Sequence, residues 1–300
     1  MTFGVRAHDF GRKEAAELAS EIARMGATHV QLAPMKALKG FEADSGASND
    51  LSLFMDKDKV LRIRELFTDQ GIRISILGCY FNMAHPEPAI REKGIRQFQN
   101  YLSLAREFGT TRVGTETGSV RSDYGPDPRN NSEEAFEDFY RTLEKLIPVA
   151  EATDTTVCIE GVAQHIISDA RRMDRVLRRI PPPHLAVIFD PVNLLTLENA
   201  DQQERIFEEC FSLWGHRIEV IHLKDFIWEG STLRVVPLGK GNLNISVLGR
   251  LLRNIGSSMD VIIENCPPTL IPNAVEYLKN KGLLVLTHCP IADRDSTFYP

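Results

Sequence analysis

Three observations predict an α/β fold of the (β/α)8 TIM-barrel type. Eight short apolar, β-branched runs recur along 300 residues, amphipathic stretches lie between them, and no linker or shift in composition divides the chain. Most runs are nearly continuous in apolar residues, as parallel strands covered on both faces are. One domain over 1–300 is therefore expected. The competing architecture is a doubly wound open sheet, whose Gly-rich nucleotide turn after the first strand is missing here.

In chain order, strands are expected at 4–9 (GVRAHD), 28–33, 72–78 (IRISILG), 111–116, 156–160 (TVCIE), 185–190 (LAVIFD), 218–223 (IEVIHL) and 260–264 (DVIIE). A helix over 13–25 would present Ala16, Leu18, Ala19, Ile22 and Met25 on one face, and one over 88–108 would present Ile90, Ile95, Phe98, Leu102 and Ala105. Gly26, Gly71 and Gly109 each follow a helical pattern and precede a strand, the place where a left-handed residue ends a helix. Ser132, followed by Glu133 and Glu134, reads as a helix start, with a hydroxyl for the cap and acids for the dipole. Longer inserts near 36–55, 118–131 and 225–242 follow strands and so fall on the catalytic rim of a barrel, where long loops are more often functional than idle.

Composition removes several function classes. Lys plus Arg number 35 and Asp plus Glu 41, for a net charge of −6, and no basic block is present to neutralise phosphates, so no nucleic-acid partner is expected. No apolar run approaches the roughly 20 residues that span a bilayer, and no basic leader follows Met1. The expectation is a cytoplasmic protein without membrane contact. Cys79, Cys158, Cys210, Cys266 and Cys289 show no CxxC spacing, which points to reduced packing thiols rather than a disulfide framework or zinc knuckle. GxGxxG, GxxxxGK[ST], GxSxG and HExxH are all missing, so the chemistry must lie in dispersed residues.

Reacting side chains of a parallel barrel come from the C-terminal ends of its strands. The residues at those ends are His8 and Asp9, Glu116, Glu160, Asp190, His222 with Lys224 and Asp225, and Glu264. Strand alternation puts Glu160 on the face of Cys158, Asp190 on that of Ile188, Glu264 on that of Ile262, and His222 with Lys224. If those faces point inward, three carboxylates and one imidazole converge. Like charges about 4 Å apart repel by about 4 kcal/mol at an effective dielectric near 20, so such a set should take up protons or one divalent cation. The oxygen-rich donor set suits Mn²⁺, Mg²⁺, Co²⁺ or Zn²⁺.

Other residues keep two readings open. Glu116 and His8 either contact substrate or pair with a buried arginine such as Arg112 or Arg6. Lys224 either binds an anionic or hydroxyl-rich ligand or acts as an internal counter-ion. Tyr80 and Trp228 either stack on a ligand ring, which the resemblance described below makes a sugar ring or aglycone, or pack the rim. His29, His184 and His216 lie near strand starts and read as structural, while His85, His165 and His288 sit in loops after strands and are assigned no role.

At these residues the sequence resembles the xylose isomerase-like TIM-barrel superfamily of sugar isomerases and epimerases, inosose dehydratase and endonuclease IV proteins. The resemblance is carried in order by CIE ending at Glu160, IFDPVN over 188–193, VIHLKD over 220–225, LGKGNLN over 238–244 and IIEN over 262–265. It implies that Glu160, Asp190, His222 and Glu264 bind one divalent metal, Mn²⁺ first among the candidates, and that Glu160 and Glu264 face opposite sides of a substrate carbon. The sequence departs from its better-known relatives where Asn193, here assigned to substrate binding, replaces a common His and where Trp228 replaces the substrate-contacting Arg of ketose 3-epimerases. The further histidines of a three-metal endonuclease are incomplete.

The reading that follows is a metal-dependent sugar isomerase or epimerase working by proton abstraction α to a carbonyl. Glu160 and Glu264 would be its acid/base pair, Lys224 its stabilising cation, and a small sugar or sugar derivative its partner. Two alternatives stand beside it: a lyase eliminating from a keto-sugar, inosose or 3-keto-glycoside, and a non-catalytic sugar-binding barrel. A homo-oligomer is a family expectation, and the tail over 287–300 is expected either to cover the barrel or a neighbouring subunit or to fray.

Overall fold

The computed structural model describes residues 2–41, 57–255 and 259–284. Eight parallel strands close into a barrel: β1 (Gly4–Arg6), β2 (His29–Leu32), β3 (Arg73–Gly78), β4 (Arg112–Glu116), β5 (Thr156–Glu160), β6 (Leu185–Phe189), β7 (Ile218–Leu223) and β10 (Asp260–Ile263). The last strand pairs with both β7 and β1, which completes the ring. Between the strands run α1 (Ala15–Arg24), α2 (Pro34–Ala37), α3 (Lys57–Thr68), α4 (Pro88–Leu104), α5 (Glu133–Thr153), α6 (Ala170–Arg179), α7 (Gln203–Trp214) and α8 (Ile245–Ile255), with α9 (Ile271–Asn280) after β10.

The helices form where an apolar stripe meets usable ends. Leu18, Ala19 and Ile22 of α1 are buried, as are Ile95, Phe98 and Leu102 of α4, whereas Ile90 is exposed. The Ser132 hydroxyl accepts the Ala135 amide at 3.1 Å and opens α5. Gly26 and Gly71 adopt φ of 78° and 71°, the left-handed conformation that ends a helix without a Cβ clash.

Inside the ring, Ile76, Cys158, Ala186, Ile188, Val220 and Ile262 form a small apolar plug of their own, apart from the larger core between sheet and helices. Gly114 makes room for it, since a Cβ there would lie 2.7 Å from Ile188 and 2.9 Å from Ile76. Below the plug, at the N-terminal ends, Asp260 accepts from Arg73 at 2.6 and 2.9 Å, Arg112 at 2.6 Å and Ser75 at 2.6 Å, while Arg112 also reaches Glu219 at 2.5 Å. Above the plug, one pleat further along the same strands, lies the mouth.

Two expectations change. The first strand is shorter than 4–9, because Arg6 clasps Asp9 at 2.6 and 3.0 Å and the chain turns into a 3-10 segment over Ala7–Phe10. His8 and Asp9 therefore stand in a turn above the strand. The insert over 225–242 is also more than a loop, since β8 (Asp225–Glu229) and β9 (Thr232–Val236) pair antiparallel around Gly230 and Ser231. The insert over 36–55 falls outside the described residues from 42 onward, as does the tail over 287–300 with His288 and Cys289. Among the described residues, no helix is long and apolar enough to cross a membrane.

Candidate metal centre and active site

Alternation along the inward faces carries each strand from plug to mouth. Cys158 is followed two residues on by Glu160, Ile188 by Asp190, Val220 by His222 and Ile262 by Glu264, and all four mouth residues are buried. One ligand atom from each of Glu160, Asp190 and His222 lies within 4.8 Å of the others. His222 Nδ1 stands 3.3 Å from a carboxylate oxygen of Glu160 and 3.3 Å from Glu264 Oε2, so the two glutamates converge on one imidazole nitrogen. The Lys224 ammonium is 2.6 Å from Asp190 Oδ2 and donates to Glu264 Oε1 at 2.7 Å. Arg6 donates to Glu264 Oε2 at 3.1 Å, and the Asn193 amide donates to Glu160 Oε1 at 2.8 Å.

Electrostatics follow from that packing. Burial disfavours the imidazolium of His222, but Glu160 and Glu264 outweigh it and raise its pKa to about 9. Burial also opposes the Lys224 charge and is overcome by Asp190 and Glu264, which hold the ammonium well above its usual range. Glu264 is pushed up by burial and pulled further down by Lys224, His222 and Arg6, so its carboxyl lies below the ordinary range. Burial raises Asp190 to about 7 against the pull of Lys224, and burial with Glu160 raises Glu116 to about 7.

The residues fit a divalent cation. Two carboxylates and one imidazole offer ligand atoms within 4.8 Å of one another, close to the roughly 4.2 Å that separates opposite donors bonded to one ion at about 2.1 Å, and His222 Nε2 is buried with no hydrogen-bond partner. Glu264 lies at the edge of this group with both oxygens already held by cations, and the Lys224 ammonium occupies positive charge's place between it and Asp190.

The other expected site residues are distributed around this centre. Glu116 is the in-register neighbour of Glu160 across β4 and β5. It does not pair with Arg112, which serves the N-terminal network; the near cation-capable group is His165, 3.6 Å away. His8 does not pair with Arg6, stands edge-on to the Tyr80 ring, and is held neutral by burial with its pKa lowered to about 3. Tyr80 accepts from Gln31 at 2.7 Å. Trp228 lies apart from the centre on β8, edge-on to Phe226, and lines a cleft that Asn193 also lines.

Sequence reasoning left three contributors without a place in the site. Arg6 holds Asp9 and Glu264 together, His165 is buried behind Glu116, and Tyr124 packs edge-on to His165 with its hydroxyl donating to Phe81 O at 3.2 Å. A signal existed for Arg6, a charged residue inside an apolar run. None existed for Tyr124, which is brought in at φ 65° by a loop path. The resemblance segment LGKGNLN acquires a structural reason: the amides of Gly239, Gly241 and Leu243 all donate to the buried Asp225 carboxylate at 2.8–3.1 Å, which pins the hairpin to the rim.

A closed parallel barrel with a cation-type donor cluster at its C-terminal mouth defines the class. Within it, the chain belongs to the xylose isomerase-like TIM barrel family, whose pattern matches residues 19–281. Comparison with curated protein sequences finds no match. Among solved structures, the chain is similar to a D-psicose 3-epimerase with D-tagatose from Clostridium cellulolyticum H10, at 13% identity and TM-score 0.70 over 95% of this chain and 100% of that one. It is similar to the 3-keto-D-glucoside 4-epimerase YcjR from E. coli, at 16% identity and TM-score 0.69 over 93% and 99%. It is also similar to the IolI protein with a bound zinc atom, at 14% identity and TM-score 0.69 over 94% and 97%. At these identities the likeness is one of fold.

Proposed function

We propose that this protein is a divalent-metal-dependent sugar isomerase or epimerase that moves a proton on the carbon next to a carbonyl. The observation that carries this reading is the pair of buried glutamates, Glu160 and Glu264, each with a carboxylate oxygen 3.3 Å from His222 Nδ1. Similarity to two epimerases of sugar substrates supports the same class.

Glu160, Asp190 and His222 would hold the metal, with Glu264 completing the set and Mn²⁺ as the first candidate. A bound divalent ion supplies Lewis-acid stabilisation of negative charge developing on the substrate's oxygens. One glutamate takes the proton from the carbon α to the carbonyl, leaving the C–H electron pair in an enediolate, and the other returns a proton. Return to the opposite face of the same carbon inverts it, and return to the neighbouring carbon isomerises the sugar. Lys224, held charged at the mouth beside Asp190 and Glu264, would donate to the enediolate oxygen. Asn193 fixes the Glu160 carboxylate in place, and His8, Tyr80 and Glu116 would contact substrate hydroxyls.

The test is a D₂O exchange screen of keto-sugars and keto-glycosides with Mn²⁺-loaded protein, read by NMR and mass spectrometry. The expected result is one deuterium incorporated at the α carbon together with an isomer of otherwise unchanged mass, both lost in Glu160→Gln and Glu264→Gln. Release of an unsaturated or aglycone fragment would establish elimination instead. Full activity in both variants would overturn the acid/base assignment.

A further inference from the structure

Two separate clefts open onto the mouth, one on each side of Glu160. The first, of about 660 Å³, is walled by the turns after β2, β3 and β4 and by α4, with Tyr80, Phe81, Tyr124, Glu116, Lys93 and Gln97 in its lining. The second, of about 600 Å³, lies between the turns after β5 and β6 and the β8–β9 hairpin, with Val192, Asn193, Leu195, Trp228 and Leu233 in its lining. Either volume falls in the range of pockets that enclose a drug-sized ligand.

Both clefts reach the reacting position. Glu116, in the wall of the first, is the lateral partner of Glu160 on the next strand, so the two lie about 4.8 Å apart in the hydrogen-bonding direction. Asn193, in the wall of the second, bonds Glu160 directly at 2.8 Å. A molecule reacting at Glu160 thus has room on two sides. A substrate the size of one free monosaccharide would leave both clefts to water.

Their linings differ in chemistry. The first combines aromatic faces with amide, hydroxyl, carboxylate and ammonium groups, the combination that stacks on and hydrogen-bonds a sugar ring. Its shape is enforced by Gly94 of α4, where a Cβ would lie 2.3 Å from the Phe81 ring, and by Tyr124, a bulky residue kept at φ 65°. The second mixes aliphatic side chains and one indole with the polar groups of Gln164, Asn193, Thr196, Glu198 and Ser231, suited to an aromatic ring that carries polar substituents.

Resting on the proposed chemistry, we infer that the substrate is a keto-glycoside extended on both sides of its reacting ring, with a further sugar unit in the first cleft and an aromatic aglycone bearing polar groups in the second. The inference can be tested by isothermal titration of the Mn²⁺-loaded full chain with four probes: methyl and 4-nitrophenyl β-glucopyranoside, and methyl and 4-nitrophenyl β-cellobioside. Each extension is expected to tighten binding by about tenfold. Ala163→Trp, which fills the second cleft, should remove the nitrophenyl gain alone, and Gln97→Trp, which fills the first, should remove the second-glucose gain alone. Equal affinity for all four probes, or loss of both gains through a single filled cleft, would overturn the two-sided substrate and leave the metal and acid/base reading standing. If Mn²⁺ binds but none of the four glycosides does, the extended glycoside is overturned, while the D₂O screen of keto-sugars decides the sugar reading by itself.

Discussion

The two ends of the barrel both bury charge, and they do so by opposite rules. At the N-terminal end, Arg73 and Arg112 meet Asp260 and Glu219, and Ser75 adds a hydroxyl. Opposite charges are matched there. At the C-terminal mouth, Glu160, Asp190 and Glu264 crowd His222, with Lys224 and Arg6 as the fixed cations. Among the described residues, the buried side-chain atoms without a hydrogen bond include His222 Nε2, His165 Nδ1, His8 Nδ1 and Gln31 Oε1 around the mouth, and none from the N-terminal network. Buried polar groups are nearly always satisfied, so unsatisfied donors and acceptors gathered at one end mark where something else binds. One end closes the barrel, and the other leaves buried polar atoms without partners, as the proposed metal centre requires.

The contrast sharpens first through activity. Glu160→Gln or Glu264→Gln should lower turnover by about 10²–10⁴-fold, and Glu264→Gln should also destabilise the metal-free protein, because Lys224, Arg6 and His222 lose the carboxylate that they hold ionised. Steady-state kinetics and urea denaturation of the same samples read both effects. Asp260→Ala, at the other end, should cost about 3 kcal/mol in denaturant because Arg112 and Arg73 lose their shared partner, with metal uptake and turnover retained. A Glu264→Gln protein with full turnover, or an Asp260→Ala protein that no longer takes up metal, would break the distinction.

Smaller effects follow from protonation and capping. His29, near Asp260, is pushed down to about 4 chiefly by burial. Between pH 6.5 and 4 the unfolded chain therefore binds a proton that the folded chain does not, and stability drops as pH is lowered through that window by about 1.4 kcal/mol per unit for this group. Arg73 and His29 hold the Asp260 carboxyl below its usual range against burial, so its contribution is present above about pH 4 and is lost as pH falls further. Denaturation midpoints measured from pH 8 to 4 check the sign, and His29→Gln should flatten the upper part of the slope. Ser132→Ala, remote from both ends, should cost about 1 kcal/mol through the lost cap alone.

How much of this was legible in the sequence depended on range. The eight strands were readable because a parallel strand buried on both faces must be apolar along its length, and the strand-end acids were readable because side chains alternate with a period of two. That rule aligned Glu160, Asp190, His222 and Glu264 before any contact was known. The β8–β9 hairpin was read as plain loop, although Phe226, Trp228, Leu233 and Val235 alternate around Gly230 and Ser231. Lys224 lying between Asp190 and Glu264, Arg6 reaching Glu264, and Tyr124 folding onto His165 depend on side-chain reach and loop path, which no local pattern encodes.

The central claim is that the mouth is a metal centre, and metal stoichiometry tests it most directly. Elemental mass spectrometry on the purified chain and on His222→Ala, after identical loading and dialysis, should find about one divalent ion per chain in the former and none in the latter, with matching circular dichroism. No ion retained by the parent chain after loading with Mn²⁺, Co²⁺, Mg²⁺ or Zn²⁺ would contradict it.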